Sequence, residues 1–414
     1  MASSPRGILA PYGFAAAGLS CGIKRSGRPD LSVVVSDRDA TAAGVFTTNT
    51  VRAAPVSIGL ARLARPGARF RGFLTVSGVA NAMTGAEGLA DNEAILASAE
   101  REFGVPAGSL LPACTGVIGP RIPVAKVEAG LAPLRAHLTS EAHGARRAAE
   151  AILTTDTRPK ETAVTGTLAD GRRFRVGGMA KGSGMIAPKL ARLHATTLAF
   201  LTTDAPATSE GLAQILADET DRTLNQVCVD GDTSTNDTAY LLANGAVGGP
   251  AAHADPAFRA AVGTVLERLA REIARDGEGA TKLLTVTVEG ARTLGEARAA
   301  ARSVVGSTLV KAAVFGADPN VGRIACALGY SGARVDPAQI DVSLGGSTTA
   351  LPLITHGRPA PGLDNGGGAR VRARLLRLDE VPLTVRLHQG RASATAWGCD
   401  LSYAYVQINA AYRT

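Results

Sequence analysis

The stretch MAKGSGMIAPKLARLHATTLAFLTTDA, Met179–Ala205, sets a lysine in a glycine cluster, then a proline, then a small residue directly before a threonine that opens an apolar run. Two readings fit it. In the first, a Gly-rich turn leads into a buried strand over 196–203, where Thr197, Ala199, Leu201 and Thr203 alternate with Thr196, Leu198, Phe200 and Thr202. In the second, the chain is cut between Ala195 and Thr196, and Thr196 becomes an N-terminal nucleophile. A threonine hydroxyl is a weak nucleophile until a base takes its proton. Cleavage supplies that base as the new α-amine, with a reference pKa of about 8 against about 10.4 for lysine. No histidine is then needed. Flexible glycines upstream and the small Ala195 ease the strained attack on the preceding carbonyl. Taken alone, Ala-Thr is a weak signal, and a plain strand start explains it.

The surrounding chain is of ordinary globular type. It has 414 residues, 45% hydrophobic and 19% charged, with 48 glycines and few aromatics. Its net charge is +8, yet the basic residues are scattered and form no block interleaved with aromatics. This pattern reads as a dispersed solvated surface and gives no sign of a nucleic-acid partner. The five cysteines are far apart and never form C-x-x-C. They point to reduced thiols in a cytoplasmic protein, with neither a disulfide framework nor a metal site. No apolar run reaches the ~18 residues of a membrane span. The N-terminal stretch, broken by Pro11 and Gly13, reads as mature sequence.

Helical and strand patterns alternate, which predicts an α/β fold with sheets flanked by helices. One helix is expected from a cap at Asp91-Asn92 to a stop at Gly104, a second from Ser209, and a third from Asp255-Pro256 to Asp276-Gly277. Strands are expected at Leu74–Ser77, Lys282–Val288 and Leu383–Leu387, the last beginning after Pro382. Gly357–Arg370 reads as a loop.

Phosphate-binding motifs are absent: DGEGATK (Asp276–Lys282) has its lysine at the wrong spacing and follows a helix instead of opening one. There is no G-x-S-x-G elbow. A second element, PACTGVIG (Pro112–Gly119), sets Thr115-Gly116 in a Gly-rich turn. It can offer one hydroxyl and one backbone N–H to a tetrahedral oxyanion, or it is an ordinary strand-to-turn junction.

Together these pieces resemble the ornithine acetyltransferase family of arginine biosynthesis, also called the glutamate N-acetyltransferase or ArgJ family. The resemblance spans almost the whole chain. It rests on GFAAAGLSCGIK, AGVFTTNTVRAAPV, ANAMTG, CTGVIG, ILTTDTRPKE, MAKGSGMIAP, ATTLAFLTTDA, VDGDTSTNDT, RDGEGATKL, ADPNVGRIA, WGCDLSYAYV and INAAYRT. It implies a self-processing precursor cut between Ala195 and Thr196, giving an α chain of residues 1–195 and a β chain of residues 196–414. These would form two bodies sharing one active site, in an α2β2 assembly. It also implies cofactor-free acetyl transfer from N-acetylornithine to glutamate through an acetyl-Thr196 intermediate. A bifunctional form that also draws on acetyl-CoA lies within what it implies. Thr115 and Gly116 become the oxyanion donors, and Thr155, Lys181, Glu278, Asn409 and Thr414 the substrate contacts. The alternative is a related self-processing N-terminal-nucleophile amidohydrolase or aminopeptidase, with water in place of glutamate.

Two departures stand out. The family spacing from proline to the nucleophilic threonine is four residues shorter than the stretch from Pro188 to Thr196, so Thr196 is anchored by the downstream TLAFLTTDA. The extra residues amount to about one helical turn. Val79, Met83 and Val321 replace residues more usual in the family and are expected to be packing changes.

Overall fold

The computed structural model describes residues 6–187, 190–191, 197–345, 350–361, 363 and 368–411. Ala195, Thr196 and Thr414 lie outside these, as does part of the Gly357–Arg370 loop.

The first sheet holds β1 (Phe14–Leu19), β2 (Leu31–Thr47), β3 (Phe70–Val79), β4 (Leu110–Val117), β5 (Lys160–Thr167), β6 (Arg173–Lys181), β7 (Leu190–Ala191), β8 (Leu198–Thr203) and β10 (Thr238–Ala243). The second holds β9 (Val227–Cys228), β11 (Leu283–Ala291), β12 (Asp341–Leu344), β13 (Leu351–Thr355), β14 (Arg358–Pro359), β15 (Glu380–Arg386) and β16 (Ala392–Cys399). The helices are α1 (Ala54–Leu63), α2 (Gly85–Phe103), α3 (Val124–Ala136), α4 (Ala142–Ala151), α5 (Ser209–Arg222), α6 (Pro256–Arg275), α7 (Leu294–Gly306), α8 (Thr308–Phe315), α9 (Val321–Gly329), α10 (Gly368–Leu376) and α11 (Tyr403–Ala411).

Both sheets are mixed. The first runs β4-β3-β2-β10-β8-β6-β5, and the second β14-β13-β12-β15-β11-β16-β9. Within the first, β8 runs parallel to β10 and antiparallel to β6. All six residues of β8 are buried, as suits a central strand covered on both faces. Ala199 and Leu201 face a core completed by Leu212, Leu216, Val262, Val265 and Leu269 of α5 and α6. Leu198 and Phe200 face a second core with Phe46, Phe73 and Tyr240. A third core packs α7–α10 on the second sheet. The 195/196 junction thus falls inside the first sheet's sequence span, between β6 and β8.

The helix starting at Asp255-Pro256 forms as α6, with the Asp255 side chain accepting from Ala257 N–H at 2.8 Å. α5 is capped by Thr208. α2 ends at Gly104 (φ 63°) as expected but starts at Gly85, ahead of Asp91. Its first two turns are mostly exposed and carry no apolar stripe, so periodicity could not reveal them. Similarly, β15 begins two residues before Pro382. The proline sits one position beyond the last β12 pair, Leu344 opposite Leu383, so its missing N–H breaks no rung there. Val79 and Val321 are partly buried against apolar cores, but Met83 is 73% exposed and is no packing change. All five cysteines are free. Among the described residues, no helix is long and apolar enough to cross a membrane, and no cluster of metal-ligating side chains occurs.

Candidate active site

Thr115, Gly116, Thr155, Lys181, Glu278 and Asn409 come from five separate parts of the chain and line one cavity of about 140 Å³. Thr197, the residue after Thr196, lines it too.

Lys181 is the last residue of β6 and pairs with Leu198 at the start of β8. Its ammonium donates to Thr154 Oγ1 at 2.8 Å and to Thr115 Oγ1 at 3.3 Å. Burial pulls its pKa below the ordinary lysine value, while Asp156, 3.9 Å away, opposes that pull. A lysine so placed can hold an anion through a charge-assisted contact.

Thr115 and Gly116 lie near the end of β4, opposite Ser77 and Gly78 of β3, where the register shifts. Gly116 has φ +136°, and a Cβ there would meet Gly78 C at 2.3 Å. Only glycine fits, which explains the Thr-Gly pair.

Glu278 follows the C-terminus of α6. Its N–H donates to Ser183 O at 3.0 Å, and its Oε2 accepts from Asn409 Nδ2 of α11 at 2.8 Å. The glycine cluster is shaped around this carboxylate: a Cβ on Gly184 would fall 2.3 Å from it. Asp230 accepts from the N–H groups of Met185 and Ile186 at 2.6 and 2.8 Å and fixes the next turn.

Beneath the cavity lies a buried ionic network. Lys160 Nζ reaches Asp156 Oδ1 and Asp276 Oδ2, each at 2.6 Å. Asp156 also accepts from Gly182 N–H at 2.7 Å and Thr154 N–H at 3.1 Å, and Ser183 Oγ donates to Asp276 O at 2.6 Å. The Lys181 strand, the Thr154 loop and the segment leading to Glu278 are thereby tied to one set of charges.

Thr154, Asp156, Asn236 and Asp237, within TTDT and STNDT, carry no motif signal of their own. Asp237 is 3% exposed, and its Oδ2 has no hydrogen-bond partner among the described residues. Burial raises its carboxyl pKa well above the usual range, against the charge of Lys181 and hydrogen bonds from the Ser234 and Thr47 side chains. Thr197 Oγ1 is likewise buried and unpartnered among the described residues.

The ArgJ family model matches residues 15–414. The arginine biosynthesis bifunctional protein ArgJ of Symbiobacterium thermophilum is 46% identical over 415 residues, covering 99% of this chain and 98% of that protein. The glutamate N-acetyltransferase of Methanocaldococcus jannaschii is 41% identical over 409 residues, covering 99% and 98%. Among solved structures, the bifunctional ArgJ of Bacillus halodurans aligns at 41% identity with a TM-score of 0.47, covering 51% of this chain and 97% of that one. A family match over nearly the full length, with relatives above 40% identity end to end, means that the chain belongs to the ArgJ family.

Proposed function

We propose that this ArgJ-family enzyme, a bifunctional-type glutamate N-acetyltransferase of arginine biosynthesis, works in the cytoplasm by moving acetyl from N-acetylornithine to glutamate through an ester on Thr196. Acetyl-CoA is the second donor in this reading, and the precursor first cuts itself between Ala195 and Thr196, its two chains assembling as α2β2. One observation carries the proposal. An ammonium (Lys181), a carboxylate (Glu278) and a threonine–glycine pair at a strand end (Thr115-Gly116) face one cavity, together with the residue following Thr196.

The steps balance without a cofactor. Thr196 Oγ attacks the acetyl carbonyl, and its proton passes to the Thr196 α-amine. The Thr115 hydroxyl and the Gly116 N–H hold the oxyanion. The C–N bond then breaks, and the leaving ornithine amine takes the proton back. Glutamate's neutral amine attacks the acetyl ester, the C–O bond to Thr196 breaks, and the amine's proton passes through the Thr196 α-amine to Thr196 Oγ. Lys181 holds the α-carboxylate common to both substrates. Glu278 receives the ornithine side-chain ammonium, while Asn409, Thr155 and Thr414 complete the substrate contacts.

The test is electrophoresis with N-terminal sequencing, run beside a transfer assay. Two fragments of comparable size are expected, the C-terminal one beginning Thr-Thr-Leu-Ala-Phe. Thr196→Ala should stay uncut and inactive. An uncut chain with full activity, or a fragment beginning at Thr197, refutes the assignment. Acetate release at the same rate with and without glutamate would favour the amidohydrolase alternative.

A further inference from the structure

We infer that Asn236 is a positioning residue for the oxyanion site, locking the end of β4 to the strand pair that begins beside the nucleophile. This rests on the proposed oxyanion role of Thr115 and Gly116.

Asn236 lies two residues before β10. Thr238, which opens β10, donates its N–H to Thr197 O at 2.9 Å, so this end of β10 is fixed against the start of β8. From there the Asn236 amide gives Nδ2 hydrogen bonds to the carbonyls of two other segments. One is Ala80 O at 2.6 Å, just past β3; the other is Cys114 O at 2.9 Å, in β4. In sheet order β3 and β4 are separated from β10 by β2, so this side chain bridges strands that do not pair. Cys114 is bonded directly to Thr115. Its carbonyl therefore sets the peptide plane from which the Thr115 side chain departs.

The donors of this amide are committed within the protein. Both donors are engaged, Oδ1 accepts from Thr235 Oγ1 at 2.6 Å, and the residue is 5% exposed. It lines the cavity yet has no donor left for a substrate, so it acts through Thr115 and Gly116. In the proposed mature enzyme, Ala80 and Cys114 belong to one chain and Asn236 to the other. The strut then crosses the junction that the chemistry must span.

An oxyanion site tolerates little displacement: removing one donor costs about 10²–10³ in rate, and a misplacement of about 1 Å costs about 10². The experiment compares Asn236→Ser, which keeps one donor, with Asn236→Ala, which keeps none, and crosses each with Thr115→Ala. Active sites are counted from the ornithine burst released from N-acetylornithine without glutamate, so misfolded molecules drop out of kcat. Expected are a fall in kcat of about tenfold for serine and about a hundredfold for alanine, with KM for N-acetylornithine within about twofold. Adding Asn236→Ala to Thr115→Ala should cost little more, because both damage one site. Multiplying losses in the double variant, or a raised KM at unchanged kcat, would overturn the strut. A wild-type kcat in Thr115→Ala would instead remove the oxyanion assignment beneath it.

Discussion

Lys160 holds its ammonium 2.6 Å from Asp156 Oδ1 at a point where neither side chain meets solvent. A second carboxylate, Asp276, lies equally close. Buried charges of this kind survive only as a set, because removing one partner leaves the others desolvated and unpaired.

Lys160→Met should therefore destabilise the fold by about 3–5 kcal/mol. Chemical denaturation measures it, and a loss below about 1 kcal/mol would show that the network is weakly coupled. The pH dependence has a definite sign. Burial works to raise the Asp156 pKa, but the charges of Lys181 and Lys160 and the bonds from Lys160 and Gly182 outweigh it and hold the carboxyl below its ordinary range. Its contribution is present above the unfolded value of about 3.9 and is lost as pH falls toward the folded value. The wild-type advantage over Lys160→Met should shrink below about pH 4.

Lys181→Ala should raise KM for N-acetylornithine and for glutamate together, because both present an α-carboxylate to one pocket. A charge-assisted contact of about 1.5–3 kcal/mol corresponds to roughly a tenfold to hundredfold change. Steady-state kinetics with each substrate varied in turn checks this. Two unchanged KM values would leave Lys181 with only its bonds to Thr154 and Thr115.

Asp237→Asn should stabilise the protein increasingly as pH rises. The folded state favours the neutral carboxyl because burial raises its pKa, with Lys181 as the nearby opposing charge. Relative to the unfolded chain, the folded state loses stability as pH climbs from about 3.9 through the raised value. Asparagine removes that loss. The melting temperature difference between variant and wild type should be larger at pH 8 than at pH 5. A difference independent of pH would mean that the carboxyl is not held neutral.

Deleting Arg192–Ala195 restores the shorter family spacing and leaves Ala191 before the threonine. That variant should still cut itself and transfer acetyl, because the extra residues fall on the departing side of the scissile bond. A folded but uncut deletion protein would show the insertion to be part of the site.

The best-read elements were those with a local physical cause. Asp255-Pro256 announced α6 through a cap and a pre-set φ, and the buried stripe of Phe258, Val262, Val265, Leu266, Leu269 and Ile273 gave it a face. Gly104 ended α2 because a left-handed terminal residue favours glycine. The start of α2 was hidden because its first turns are solvated. Of the residues lining the cavity, Lys181, Thr115-Gly116 and Glu278 stand in the family motifs. The roles of Asp156 and Asn236 were not legible, because their work is bonding to distant backbone and to Lys160, and neither periodicity nor spacing encodes which strands a loop will meet.

The order of the first sheet would matter if the chain is cut as proposed. β8 and β10 sit side by side, with β2, β3 and β4 on one flank and β6 and β5 on the other. A cut before Thr196 assigns that inner pair to one polypeptide and both flanks to the other. The fragments would then be interleaved like a tongue in a groove, held by backbone ladders on two sides. They could part only by unfolding the sheet. Two differently tagged preparations mixed under native conditions should not trade fragments, and halves expressed apart should need to fold together to become active.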